Sequence, residues 1–398
     1  MKAPMKYRKI QAERIFTGYG MAPSGTVLIT TEDGTVVDLL PEADAGDNTE
    51  QYPGLLSPGF INAHCHLELS HLEGLVPAGT GLVDFLLQVV QKRDSVKVDI
   101  QQAIRAADAA MEAAGIVAVG DICNTTDTLE VKKESRIAWT NFVEVLSFRD
   151  ETAAERVAHY TRVRDSFRIL DDPGYRGDRL PRASLVPHAP YSISPRSFQL
   201  INEASRGEVI SMHNQETPAE DELYRTGQGD FRRLFGFFGN DAPPNPVTGQ
   251  SSLRSVLPYF TGGQTMLLVH NTCTTEEDLQ HAAVMARDSS LDLFYCLCPN
   301  ANLYIENRLP PVKSLLETGA QIVLGTDSLS SNYQLSIAEE IKTLRAHFPE
   351  IALETLLGWA TLGGARALKR DDLLGSFEKG KRPGVVLLDE NLRPARII

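Results

Sequence analysis

The chain has 398 residues, 42% of them hydrophobic, enough for a large buried core arranged as two or three average domains or as one large barrel with an appendage. Its 52 acidic and 39 basic residues leave a net charge of −13. That balance offers no basic face to nucleic acid or to an anionic membrane, and neither is expected as a partner.

Five cysteines, an odd number, fit a reducing compartment better than a disulfide framework. The basic stretch 1–16 lacks the apolar segment of a signal peptide, and no run approaches the ~18 apolar residues of a membrane span. A cytoplasmic location is therefore expected.

In chain order, residues 8–53 read as short β pieces broken by Gly, Asp and Pro: Lys9–Phe16, Thr26–Thr31 and Thr35–Leu40. Eight apolar runs follow: Leu55–Asn62, Ile116–Asp121, Ala138–Leu146, Ser184–His188, Val209–His213, Met266–His270, Leu291–Leu297 and Ile322–Thr326. Continuous apolar runs of this length suit strands buried on both faces. Helix-period stretches separate most of them, including Val83–Arg93, Ile100–Ala114, Pro195–Ser205, Thr275–Arg287, Pro310–Glu317 and Leu335–His347. The alternation predicts an α/β fold, a (β/α)8 TIM barrel, with its chemistry at the C-terminal ends of the strands. After helix-like Ile351–Lys369 comes Leu374–Ile398, strand-like again around Val385–Leu388. Neither flank can bury a core alone. Residues 1–57 and 371–398 are expected to form one small β-sandwich domain beside a barrel spanning 58–370. Phe231–Gln250 reads equally as a functional loop over the site and as a satellite core beneath a loop.

The strand ends carry the candidate chemistry. His64 and His66 stand at i and i+2, which points two imidazoles to one face of a strand. A lone pair of this kind is a weak signal, equally met by two half-buried histidines in a turn. Here His213 ends the fifth strand, His270 the sixth and Asp327 the eighth, in a chain with only nine histidines. Three neutral nitrogens from His64, His66 and His213 with the carboxylate of Asp327 suit one divalent ion, Zn²⁺ first and Fe²⁺ second. Such an ion lowers the pKa of bound water towards ~7 and makes hydroxide available. Glu216, just beyond His213, is placed to shuttle a proton without ligating. The competing account, a surface Glu ahead of the helix at Thr217-Pro218, has less behind it. His270 is either a ligand to a second metal or the holder of the attacking water. The fourth strand ends Val186-Pro187-His188 and has no Lys to bridge two ions, which favours one metal and the second role. His188 is expected to face the substrate.

Taken together, Pro58–His66 (PGFINAHCH), His213–Thr217 (HNQET), Val269-His270 and Leu324–Asn332 (LGTDSLSSN) resemble the amidohydrolase superfamily, in its mononuclear metal-dependent aminohydrolase branch. The resemblance spans essentially the whole chain. It implies a deaminase with His64, His66, His213 and Asp327 as ligands, Glu216 as proton shuttle and His270 beside the nucleophilic water. His188–Ser192 (HAPYS) and Asn62–Ser70 (NAHCHLELS) look most like the deaminases of S-adenosylhomocysteine, methylthioadenosine and aminodeoxyfutalosine. That implies a 6-aminopurine nucleoside as substrate, aminodeoxyfutalosine first, with hydroxide attacking the amino-bearing ring carbon and ammonia leaving. Substrate contacts are expected from His188, Ser328, and Glu68 or His71, the last two on the ribose hydroxyls. Ala301 and Arg308 depart from the family's pattern at positions expected near the substrate. A homodimer is the fold-level expectation. The rival readings are a deaminase of a free purine, pterin or pyrimidine base, a cyclic-amide hydrolase of the same fold, and a barrel that has lost catalysis. The last would have shed ligands that are all present here.

Overall fold

The computed structural model describes residues 6–95, 98–168, 183–240 and 242–398. Four strands open the chain: β1 (Tyr7–Ile15), β2 (Thr26–Thr31), β3 (Val36–Pro41) and β4 (Glu50–Pro58). Eight follow in alternation with helices: β5 (Phe60–Cys65), β6 (Ile116–Cys123), β7 (Ala138–Val145), β8 (Ala183–Pro187), β9 (Val209–Asn214), β10 (Thr265–His270), β11 (Asp292–Leu297) and β12 (Gln321–Leu324). Strands β13 (Val385–Leu388) and β14 (Pro394–Arg396) close the order.

Strands β5–β8 make one parallel four-stranded sheet and β9–β12 another, each strand beside its sequence neighbour. Every residue from β5 through β10 in these strands is buried, which is why they read as unbroken apolar runs. The two sheets abut at two seams. At one, the amide of His213 donates to the carbonyl of His188 at 3.0 Å. At the other, the amides of Thr326 and Asp327 donate to the carbonyl of His64 at 2.9 and 3.1 Å. The ladder is thus two half-sheets and not the single closed eight-strand ladder expected. Side chains add to both seams: the hydroxyl of Ser184 donates to the carbonyl of Val209 at 2.6 Å, and Nδ2 of Asn62 donates to the hydroxyl of Thr326 at 2.7 Å.

The predicted first strand, Leu55–Asn62, is in fact two strands in different sheets. Gly59 is the pivot between them. A Cβ there would lie 2.3 Å from Cγ1 of Val117 and 2.7 Å from the carbonyl oxygen of Pro383.

The flanking pieces do meet, in one six-stranded sheet of order β14-β13-β4-β1-β2-β3. This corrects the two-sheet sandwich expected. The alternation along β2 explains it: Leu28 packs into one apolar cluster with Ile10, Leu56 and Phe377, while Val27 and Ile29 pack into another with Ala45 of the short helix Glu42–Ala45. Both faces are covered without a second sheet. Among the described residues no helix is long and apolar enough to cross a membrane.

Candidate metal centre and the cavity above it

The i, i+2 spacing on β5 does what the strand period dictates. Nε2 of His66 lies 3.2 Å from Nε2 of His64 and 3.2 Å from Nε2 of His213. Oδ1 of Asp327 lies 3.2 Å from Nε2 of His66 and 3.5 Å from that of His64. Each of the four residues offers one ligand atom, all within 4.8 Å of one another, and all four residues are buried.

These residues fit a divalent metal. Burial holds the imidazoles of His66 and His213 below their usual pKa, so they are neutral and present lone pairs. Lone pairs aimed at each other across such distances repel unless a cation lies between them. Ligand atoms ~2.0–2.1 Å from a tetrahedral zinc stand about 3.3 Å apart, close to the spacings found. Nδ1 of His213 donates to the carbonyl oxygen of His188 at 2.8 Å, which leaves its Nε2 lone pair turned inward. Burial alone would raise the carboxyl of Asp327. The hydrogen bond from His64, then the neighbouring imidazoles of His66 and His270, outweigh it and hold Asp327 well below the usual carboxylate range.

The backbone aims two of these groups from an uncommon conformation. Asp327 has φ 58° and His270 φ 74°, with neighbours Gln215 and Asn271 at 45° and 56°. Non-glycine residues in this region are sparse and concentrate at functional sites.

Glu216 is 3% exposed, which removes the surface-Glu account. Burial, then the charge of Asp327, pushes its carboxyl well above the usual range. Its Oε1 lies 3.6 Å from Nε2 of His270. Burial pushes the imidazole of His270 down to about 3, so that ring is neutral. His270 stacks on His213 with centroids 5.5 Å apart, beside the four-residue cluster but outside it.

Glu144, His188 and His213 make a second convergence. Its atoms are already joined through hydrogens: Nδ1 of His188 meets Oε1 of Glu144 at 2.5 Å, and Nδ1 of His213 is spent on a carbonyl. It reads as a hydrogen-bonded dyad beside the metal cluster. His188 also lies 3.3 Å, by Nε2, from the hydroxyl of Tyr191. Burial alone would raise Glu144, but His188, then His213 and His66, hold it far below the usual carboxylate range.

A cavity opens over the cluster. His66, His213, Glu216, His270, Asp327 and Ser328 line its floor, with His188 at the side. Its walls are apolar: Leu86, Val89 and Val90 of helix Leu82–Arg93, Leu146 and Phe148 after β7, and Leu234 and Phe238 of the next wall. Phe148 and Phe238 stack with centroids 5.5 Å apart. The satellite-core reading of the Phe231–Gln250 stretch is met, and part of the stretch also lines the cavity. Phe231, Leu234 and Phe235 belong to a satellite core with Phe85 and Tyr191, and Leu234 and Phe238 line the cavity.

Two expected substrate contacts are not brought to the cavity. The 3-10 turn Leu67–Leu72 carries Glu68 away, to pair with Arg93 at 2.7 Å and to accept the amides of Asn124 and Thr125 at 3.0 and 3.2 Å. His71 lies 3.0 Å, by Nε2, from the carbonyl oxygen of Arg93. Both side chains are committed to protein partners and neither lines the cavity wall. Ala301 is fully buried, and Arg308 lies against Cys273 outside the cavity. Sequence reasoning missed Glu144, Arg93 and Asn124. Glu144 had a signal, a lone carboxylate inside the apolar run Ala138–Val145. Arg93 and Asn124 had none.

The chain is 25% identical over 386 residues to the aminodeoxyfutalosine deaminase of Deinococcus radiodurans, covering 91% of this chain and 85% of that one. It is 27% identical over 334 residues to an adenosine deaminase of Helicobacter pylori, covering 82% and 77%. The crystal structure of Helicobacter pylori aminofutalosine deaminase in complex with methylthio-coformycin superposes with a TM-score of 0.77 at 23% identity, over 96% of this chain and 92% of that one. A zinc-bound adenosine deaminase from Xanthomonas campestris gives 0.71 at 22% identity, over 96% and 84%. The sequence model of the Amidohydrolase family matches residues 55–397, so the chain belongs to the amidohydrolase family and is a hydrolase acting on carbon–nitrogen bonds.

Proposed function

We propose that the chain is a metal-dependent hydrolytic deaminase of an adenosine-type nucleoside with a modified 5′ end, with aminodeoxyfutalosine as the first substrate to try. The observation that carries it is the buried carboxyl of Glu216, 3.6 Å from His270, beside a converged set of three histidines and Asp327. Deamination of an aminopurine needs a proton delivered to a ring nitrogen and a second to the departing amine. The relatives named as adenosine-type deaminases support the same reading.

His64, His66, His213 and Asp327 would hold a divalent ion, which would make hydroxide available at neutral pH. Glu216 gives its proton to the ring nitrogen, which makes the amino-bearing carbon electrophilic. Neutral His270 holds the attacking oxygen by a hydrogen bond. Asp327 takes the proton of that oxygen as the carbon–oxygen bond forms. The proton passes by way of Glu216 to the amine, which leaves as ammonia. His188, fixed by Glu144, contacts the purine, and Ser328 lies at the cavity floor beside Asp327. The same reading makes residues 58–370 one (β/α)8 unit carrying the site, with 1–57 and 371–398 as a separate small domain. Strand order and the two seams support it.

The test is ammonia release from a panel of adenosine-type nucleosides, purine bases, pterins and pyrimidines. A nucleoside with a modified 5′ end should give the highest kcat/KM. Preference for free adenine, guanine or a pterin would overturn the nucleoside reading and leave the deaminase reading standing.

A further inference from the structure

Between the metal cluster and the apolar mouth, the cavity has one polar strip, and its members are tied to one another. Glu144, near the end of β7, is 3% exposed, and Arg93 ends the helix Leu82–Arg93. Asn124 bridges them: Nη1 of Arg93 donates to its Oδ1 at 3.2 Å, and its Nδ2 donates to Oε2 of Glu144 at 3.0 Å. The other oxygen of Glu144 meets His188 at 2.5 Å. Each carboxylate oxygen has room for two hydrogen bonds, so Glu144 retains acceptor capacity on both. Arg93 is immobilised from behind by Glu68 at 2.7 Å, whose own carboxylate is fixed by the amides of Asn124 and Thr125.

We propose that Glu144 and Arg93 form a clamp for the vicinal hydroxyl pair of the substrate's sugar, with Glu144 accepting the hydroxyl protons and Arg93 donating to a hydroxyl oxygen. This deepens the nucleoside reading and rests on it. A carboxylate and a guanidinium linked through Asn124 select a group that both donates and accepts. A free ammonium would be repelled by Arg93, and a free carboxylate by Glu144. Hydroxyls meet both, and charged partners make such bonds stronger than neutral ones. The surrounding wall is apolar, so the strip fixes which edge of the ligand turns towards β7. Glu68 acts through Arg93, as a positioning residue that never touches the ligand.

The test compares 5′-methylthioadenosine with its 2′-deoxy and 3′-deoxy counterparts on the metal-loaded enzyme. On the wild type each deoxy compound should lose about tenfold to a hundredfold in kcat/KM, mainly through KM. Glu144→Gln should lose a similar factor on the ribonucleoside while retaining its metal, and should discriminate little among the three compounds. Arg93→Gln, which keeps a donor towards Glu68 and lies at a partly exposed helix end, should show the same levelling if Glu144→Gln fails to fold. Equal turnover of all three compounds by the wild type would overturn the clamp, as would variants that lose the same factor on each. Failure of the nucleoside reading is a separate result: the wild type then prefers a free base to every nucleoside.

Discussion

The floor of the cavity comes from strand ends, and its walls come from the connections between strands. The floor is charged, buried and hydrogen-bonded to its own backbone. Nδ1 of His213 is tied to the carbonyl of His188, and the hydroxyl of Ser331 donates to Asp327 at 2.5 Å. The walls are side chains of separate helices, and several stand partly open to solvent, as do Phe238 at 41% and Val90 at 40%. The difference teaches where each task resides. Groups that must hold a metal within tenths of an ångström sit on the most rigid part of the fold. Groups that choose among substituents sit where sequence can change without disturbing the metal.

If this division holds, substitutions in the floor should abolish turnover and those in the walls should redistribute it. The largest effect is expected at Asp327→Asn. It should keep the fold and lose most activity, because the ligand charge and the proton acceptor vanish together. Elemental analysis should find one equivalent of divalent metal in the wild type, and two would break the single-ion account. Next, Glu216→Gln should retain metal and lose at least ~100-fold in kcat, the usual worth of a positioned acid–base group. Near-native turnover in a metal-replete sample would remove Glu216 from the chemistry.

A smaller effect is expected in the wall. Phe148→Ala removes half of the stacked pair with Phe238. It should raise KM about tenfold for a nucleoside with a large 5′ substituent and hardly alter kcat or the KM for adenosine. Equal losses on both substrates would blur the division. The smallest effect lies beneath the floor. Glu220 accepts the amide of Gln215 at 3.0 Å and the hydroxyl of Ser252 at 2.5 Å, and burial pushes its carboxyl up to about 8. A raised folded pKa gives stability that is full below the ordinary ~4.5 and is lost as pH climbs through about 8. Glu220→Gln should therefore gain on the wild type by about 2–4 °C in Tm between pH 5 and 8. A constant Tm difference across that range would rule it out.

How much of this was legible in the sequence follows the same line. His64, His66, His213, His270 and Asp327 could be read because a polar residue closing a buried apolar run has few other reasons to be there. Glu216 could be read from its spacing to His213. The walls could not. The apolar positions of Leu82–Arg93 announce an amphipathic helix, but Leu82, Phe85 and Val89 serve the satellite core and the cavity wall at once. Periodicity names the apolar face and not what lies opposite it. Glu68 and His71 were expected at the substrate from the resemblance alone, and the 3-10 turn that carries them turns both to protein partners instead. The strand break at Gly59 was hidden because both sides of it are apolar and buried.

The left-handed backbone at the strand ends restricts the alphabet available there. A non-glycine residue at φ near +60° costs about 1–3 kcal/mol, least for Asn, Asp and His. His270, Asn271 and Asp327 are all drawn from that tolerant group. At 327 the group contains only one anionic member. Glutamate, chemically as able to bind a cation, would carry both the conformational penalty and an extra methylene. Mutational drift at this position thus leads readily to Asn or Gly and an idle enzyme, and seldom to another working carboxylate. The choice of aspartate is made by the turn of the main chain, before any metal arrives.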